Sequence, residues 1–169
     1  MSRLNDETLR AVGQCAIEFS AFDELLTAMA ADVLECNDWE IAQYLTSSRL
    51  TAGPKLQRIE EVCNILAKLY RLEDTHPHKA MLQEIKVAQG AITERNTVIH
   101  GELKRKHGKA PIVQLRKHVV EMSPDALSII VDKINRSGDS LVEAYQHFMD
   151  TVHKARKEED ALKNRGRGS

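Results

Sequence analysis

The chain is poor in the residues that build sheets, cofactor sites and membrane spans. Aromatic side chains make up only 4% of it. The single Trp39, with Tyr44 and Tyr70, is too scattered for a base-stacking platform and suits a core or dimer face instead. Neither a Gly-rich phosphate loop nor a Gly-x-Ser-x-Gly elbow occurs. The three cysteines, Cys15, Cys36 and Cys63, are odd in number and none belongs to a CxxC pair. They read as reduced, buried thiols of a cytoplasmic protein. His76-Pro-His78 has no Cys or acid pair at ligand spacing beside it, so neither a metal nor a cofactor is expected. No apolar run approaches ~20 residues, which argues against a membrane span. The chain's polar start is unlike a secretory signal. Internal repeats and low-complexity blocks are missing too.

What is present favours helices. The 169 residues suit one domain with a real core. Ala, Leu, Glu, Lys and Arg dominate, a mix that prefers helix to a β-sandwich. A first helix is expected from about Asn5 to Leu34, on Leu9, Val12, Ala16, Phe19, Leu26, Ala30 and Val33. Asp23 interrupts that seam. A short helix is expected at Trp39–Leu45. Another long helix has Pro54 in its first turn and uses Leu56, Ile59, Cys63, Leu66 and Tyr70. A turn at 74-DTHPH-78 leads to a helix from about Lys79 to His100, with the seam Ile85, Ala88, Ile92, Arg95 and Ile99. Here Arg95 replaces an apolar residue, as Asp23 does in the first helix. Gly101 is a natural stop.

Helical periodicity then fails. Residues 102–122 contain a Gly turn, a proline and β-branched residues, which predict a short hairpin or ordered loop. The last helix opens at Ser123-Pro124 and carries Leu127, Ile130, Ile134, Leu141, Tyr145, Phe148 and Val152, with Gly138 as a candidate kink. The expected fold is therefore all-α: an up-and-down helical bundle, one domain over residues 1–158, with an insertion between its last two long helices. A disordered tail is expected at 159–169.

Net charge is only -1, but it is unevenly spread. Residues 1–74 carry 7 basic and 13 acidic side chains; residues 75–122 carry 9 and 4. The middle third also holds five of the seven histidines. It can attract a polyanion, or it can be an ordinary solvated loop.

The stretch 94-ERNTVIHGEL-103 stands at the head of that basic region. Asn96 and His100 are four apart, about 40° around a helix, so they share a face. Arg95 is about 140° from His100, but its long side chain can reach the same end. A guanidinium, an amide and an imidazole within one and a half turns suit phosphodiester chemistry. The imidazole can accept or donate a proton near neutral pH. The guanidinium can grip two phosphate oxygens and stabilise charge as it builds. The same spacing also fits a His that caps the helix and an Arg that pairs with a core acid.

Arg95, followed directly by polar Asn96 and then by His100, resembles the Arg-x4-6-His motif of the HEPN (higher eukaryotes and prokaryotes nucleotide-binding) family. The stretch 19-FSAFDELL-26 is similar to a Phe-x-x-hydrophobic-acid-x-x-Leu pattern of many bacterial HEPN domains. The likeness of layout covers about residues 5–155. It implies a homodimer acting as a metal-independent endoribonuclease, a toxin or phage-defence component. It also implies an RNA substrate and an antitoxin or regulatory protein as partners. His100 would move the proton, Arg95 would hold the phosphate and Asn96 would support either. Asp23, with Glu24 as fallback, would pair with Arg95 or orient His100. Lys104, Arg105, Lys106, Lys109, Arg116 and Lys117 would grip RNA backbone. Some family toxins carry a tyrosine two residues after the histidine, where this chain has Glu102, so silencing by adenylylation there is not implied. Other members keep the bundle without activity, and a catalytically inactive dimeric binding or regulatory protein is the alternative.

Overall fold

The computed structural model describes residues 4–34, 51–104 and 110–166. Among these the fold is a helical bundle with one small sheet. Helix α1 spans Asp6–Val33, α2 Ala52–Leu69, α3 His76–His100 and α4 Pro124–Gly166. Strands β1 Glu102–Lys104, β2 Ile112–Leu115 and β3 His118–Glu121 lie between α3 and α4. Cys36, Trp39, Tyr44 and the helix expected at 39–45 lie outside the described residues.

The caps follow the sequence. Asn5 Oδ1 accepts a hydrogen bond from Thr8 N at 2.8 Å, and Asp6 and Glu7 face the positive end of the α1 dipole. Ser123 Oγ accepts from Ala126 N at 3.3 Å ahead of α4, with Pro124 in its first turn. The expected turn at 74–78 is shorter than supposed. Thr75 stands at the N-cap and α3 starts at His76, because Pro77 fits a first helical turn, where its missing N–H is not needed.

The predicted seams form the core. Leu127, Ile130, Ile134, Leu141, Tyr145, Phe148 and Val152 of α4 are all buried, against Ile85, Ala88 and Ile92 of α3 and Phe19, Leu26 and Ala30 of α1. Leu9 is the exception, 51% exposed, while Thr8 turns inward in its place. Helix α4 runs unbroken through Gly138, where the missing side chain faces Phe22 and Leu25 of α1. It also continues to Gly166, past the boundary expected at 158. The helical part of that expected tail is held by local pairs such as Lys163–Glu159, four residues apart at 2.7 Å, and not by packing.

The insertion is a three-stranded antiparallel sheet in the order β1-β2-β3. Val113, Val120 and Met122 turn one face into the core, while Leu103 and Val119 stay exposed. The β2–β3 turn is Arg116-Lys117, with Arg116 in the left-handed region at φ 54°. Gly101 joins α3 to β1 in extended conformation, φ -78°, so it is not the left-handed cap its position suggested. Its need for glycine is steric. A Cβ there would overlap Val113 Cγ1 and come within 2.5 Å of the Thr97 carbonyl oxygen. The sheet thus presses directly on the end of α3, one residue from His100.

Candidate functional site

A cleft of about 670 Å³ opens between three helices at this end of α3. Its walls are Phe19, Ser20, Asp23 and Glu24 of α1, residues 51–53 at the start of α2, and Ile92, Arg95, Asn96 and His100 of α3. The five candidates Arg95, Asn96, His100, Asp23 and Glu24 therefore share one cavity. Helical spacing puts the α3 trio there. The α1 pair arrives because Phe19 and Leu26, on the same stripe, are drawn into the core.

Arg95 is half-buried. Its guanidinium lies 4.2 Å over the Phe19 ring and its Nη1 donates to Asn96 Oδ1 at 3.1 Å. The ring face attracts the cation, by about 0.5–2 kcal/mol depending on desolvation. Burial pulls the guanidinium below its usual pKa, while nearby Cys15 and Asp23 push it back up. Its Nε is buried and has no hydrogen-bond partner among the described residues. Beneath it, burial raises the Cys15 thiol and Arg95 partly offsets that.

Asn96 is thus bonded to Arg95, not to His100, so it serves the guanidinium and does not set an imidazole tautomer. His100 is exposed at the rim, free to meet a ligand. Asp23 pairs with neither Arg95 nor His100. Its Oδ2 accepts from the Lys55 ammonium at 2.6 Å, with side chains 35% and 7% exposed. A lysine so deep needs a counter-charge, and Asp23 is the carboxylate within reach. Its other oxygen, Oδ1, is buried without a partner among the described residues. Glu24 is exposed on the wall.

Lys55 and the platform role of Phe19 were not foreseen. The signal for Lys55 was present: it lies four residues before Ile59, on the buried face of α2, as an unbalanced cation where Asp23 was an unbalanced anion. The proposed RNA-gripping residues are only partly placed. Lys104 is exposed on β1 and its Nζ donates to Gln114 Oε1 at 2.8 Å. Arg116 and Lys117 are exposed in the β2–β3 turn, and none of these three lines the cleft. Arg105, Lys106 and Lys109 lie outside the described residues.

The other histidine motif is structural. His78 is buried, its Nδ1 donating to the Glu73 carbonyl at 3.0 Å and its Nε2 meeting the Asn64 carboxamide at 3.0 Å, with its ring against Phe148. No group of three or more His, Cys, Asp or Glu able to hold a metal ion occurs among the described residues. Among the same residues no helix is long and apolar enough to cross a membrane.

Set against models of protein families, curated proteins and solved structures, the chain matches none of them.

Proposed function

We propose that this chain is a metal-independent endoribonuclease of the HEPN type, working as a homodimer. What carries the reading is one observation: Arg95, Asn96 and His100 line a single open cleft with Asp23 and Glu24 across from them. In the proposed reaction His100 takes the proton from a ribose 2′-hydroxyl. The 2′-oxygen attacks the adjacent phosphorus and the bond from phosphorus to the 5′-oxygen breaks. A second acid, the partner's His100, protonates the leaving 5′-oxygen. The products are a 2′,3′-cyclic phosphate and a 5′-hydroxyl end. Arg95 holds the phosphate oxygens and stabilises their charge in the transition state. The Phe19 ring and Asn96 fix the guanidinium in place beforehand, which lowers the cost of ordering it. Hydrogen-bond donors on β1 and the β2–β3 turn serve the flanking backbone, with affinity that falls as salt rises. A toxin or defence role, with an antitoxin partner, belongs to the same proposal.

A second reading is a catalytically silent dimer that binds a nucleotide or protein. The engagement of Arg95 by its own chain, through Asn96 and Phe19, favours it. One experiment separates the two: purified protein is incubated with RNA and with matched DNA, EDTA present, wild type beside His100→Ala. The ribonuclease reading expects RNA alone to be cut, with activity lost in the variant. Intact RNA with a well-folded wild-type dimer, at every salt concentration and with any partner supplied, refutes it and leaves the binding protein.

A further inference from the structure

The cleft contains a charge arrangement that the proposed chemistry leaves unused. The Lys55 ammonium is almost wholly buried and bonds Asp23 twice, to Oδ2 at 2.6 Å and to the backbone carbonyl at 3.5 Å. Asp23 Oδ1 and Arg95 Nε are both buried, both without a hydrogen-bond partner among the described residues, and both belong to side chains of one cleft. A carboxylate oxygen and a guanidinium N–H left unmade in a dry place are each costly. Two such groups of opposite charge ordinarily pair. Asp23 does act on Arg95 electrostatically, yet the ion pair that Asp23 makes is to Lys55.

We infer that Lys55 is a positioning residue: by occupying Asp23 it keeps that carboxylate from capturing Arg95, and so holds the guanidinium open to an anion in the cleft. With Lys55 in place the carboxylate charge is already answered. Arg95 then rests on an aromatic face and a neutral amide, weaker partners than a carboxylate. With the ammonium gone, Asp23 becomes a half-buried carboxylate without a partner, and Arg95 is the cation beside it. The guanidinium then turns from Phe19 and Asn96 to the carboxylate, because a charge-assisted bond to a carboxylate is stronger than one to a neutral amide. The same argument gives the dependence a sign. Loss of Lys55 disables Arg95 only while Asp23 keeps its charge. Only the activity arm of the test rests on the ribonuclease reading; the geometry does not.

The test follows the Arg95 Nε–Hε signal by nitrogen-15 NMR on the full chain, assigned with Arg95→Lys. Wild type is compared with Lys55→Met, with the double variant Asp23→Asn, Lys55→Met, and with Lys55→Arg. In Lys55→Met the signal moves downfield and its proton exchanges more slowly, as a bond to carboxylate forms. The double variant returns it to the wild-type position, and Lys55→Arg leaves it there. If the wild type cleaves RNA, kcat/KM falls about a hundredfold in Lys55→Met and recovers to within about threefold in the double variant. A merely structural lysine leaves the Arg95 signal unmoved. An unmoved signal in a Lys55→Met protein with native circular dichroism overturns the inference. So does a shift that Asp23→Asn does not reverse. Should Lys55→Met not fold, Lys55→Ala, which also removes both the charge and the donor to Asp23, takes its place, and a signal unmoved there overturns it equally. If the wild type cuts no RNA, the ribonuclease reading fails while the NMR comparison still decides the role of Lys55.

Discussion

Replacing Gly101 by alanine tests how the sheet and the cleft are joined. The residue sits at φ -78°, where any side chain is tolerated, so backbone strain predicts no penalty. Contacts predict a large one. The new methyl would overlap Val113 Cγ1 of β2 and approach the Thr97 carbonyl to 2.5 Å and the Gln114 carbonyl carbon to 3.1 Å. Two of the three neighbours are backbone, and Val113 is buried at the sheet–helix contact, so the overlap is relieved by moving β2 off the end of α3. Overpacking of this kind costs about 1–3 kcal/mol. For 169 residues the unfolding entropy is about 0.35 kcal/mol/K, so a cost of about 2 kcal/mol lowers Tm by about 6 °C. Gly90→Ala is the control. It lies inside α3 with nothing within 4 Å of an added Cβ, and it should gain about 0.5–1 kcal/mol from helix propensity alone. Both variants are melted by circular dichroism and compared in the RNA cleavage assay. Because Gly101 follows His100 directly, the Gly101→Ala variant should lose cleavage as well as stability. A Gly101→Ala protein that melts at or above wild type refutes the steric argument.

Other perturbations test separate parts of the structure. Burial, with a smaller push from Glu60, raises the Cys63 thiol from 9.0 to about 12, and burial with Asp32 raises the Tyr145 hydroxyl. The unfolded chain therefore loses these protons first, so stability is intact below pH 9 and falls as pH climbs toward 12; urea midpoints at ~pH 8 and ~pH 11 should show the drop, and Cys63→Ala should flatten it. Tyr145→Phe removes the 2.6 Å hydrogen bond to Asp32 and should cost about 1 kcal/mol, since that carboxylate can return to water. Arg95→Lys keeps the charge but loses the fork and the flat stacking on Phe19, so RNA cleavage should fall about 10²–10³-fold with little change in Tm.

The helices were legible because burial repeats with the helical period. Every seam residue named for α4 is buried, since a long helix that packs along most of its length averages out local irregularity. Leu9 misled because it lies at the start of α1, where Thr8 faces the neighbours and the apolar residue after it does not. The insertion was legible as a hairpin from its turn and β-branched residues, but its pressure on Gly101 was not. That depends on the register in which β2 meets the helix end, and the amino-acid order of neither element encodes it alone. The site divides the same way. Arg95, Asn96 and His100 are close in sequence, so geometry on one helix brings them together. The partner of Asp23 is 32 residues away. Two odd charges, Asp23 and Arg95, on two apolar seams invited pairing with each other, and the third odd charge, Lys55, decided otherwise.

The number of proton-moving groups in the cleft bears on the proposed dimer. In-line attack needs a base at the 2′-oxygen and an acid at the 5′-oxygen, on opposite sides of phosphorus. One chain offers one imidazole to the described cleft. Asp23 is tied to Lys55 and Asn96 does not titrate, so among the described residues of the cleft Glu24 is the remaining group, exposed on the wall. Among the described residues, two copies of His100 across a shared cleft, or His100 with Glu24 in one chain, are therefore the two ways to complete the proposed reaction. They differ on dilution. With two imidazoles, specific activity falls as the protein is diluted below its dimer dissociation constant, and mixing wild type with excess His100→Ala poisons the remaining activity. With Glu24 as the acid, specific activity is constant on dilution and Glu24→Gln lowers kcat about 10²–10⁴-fold. Constant activity in monomeric protein, abolished by Glu24→Gln, would overturn the composite cleft while leaving Arg95 and His100 in their proposed roles.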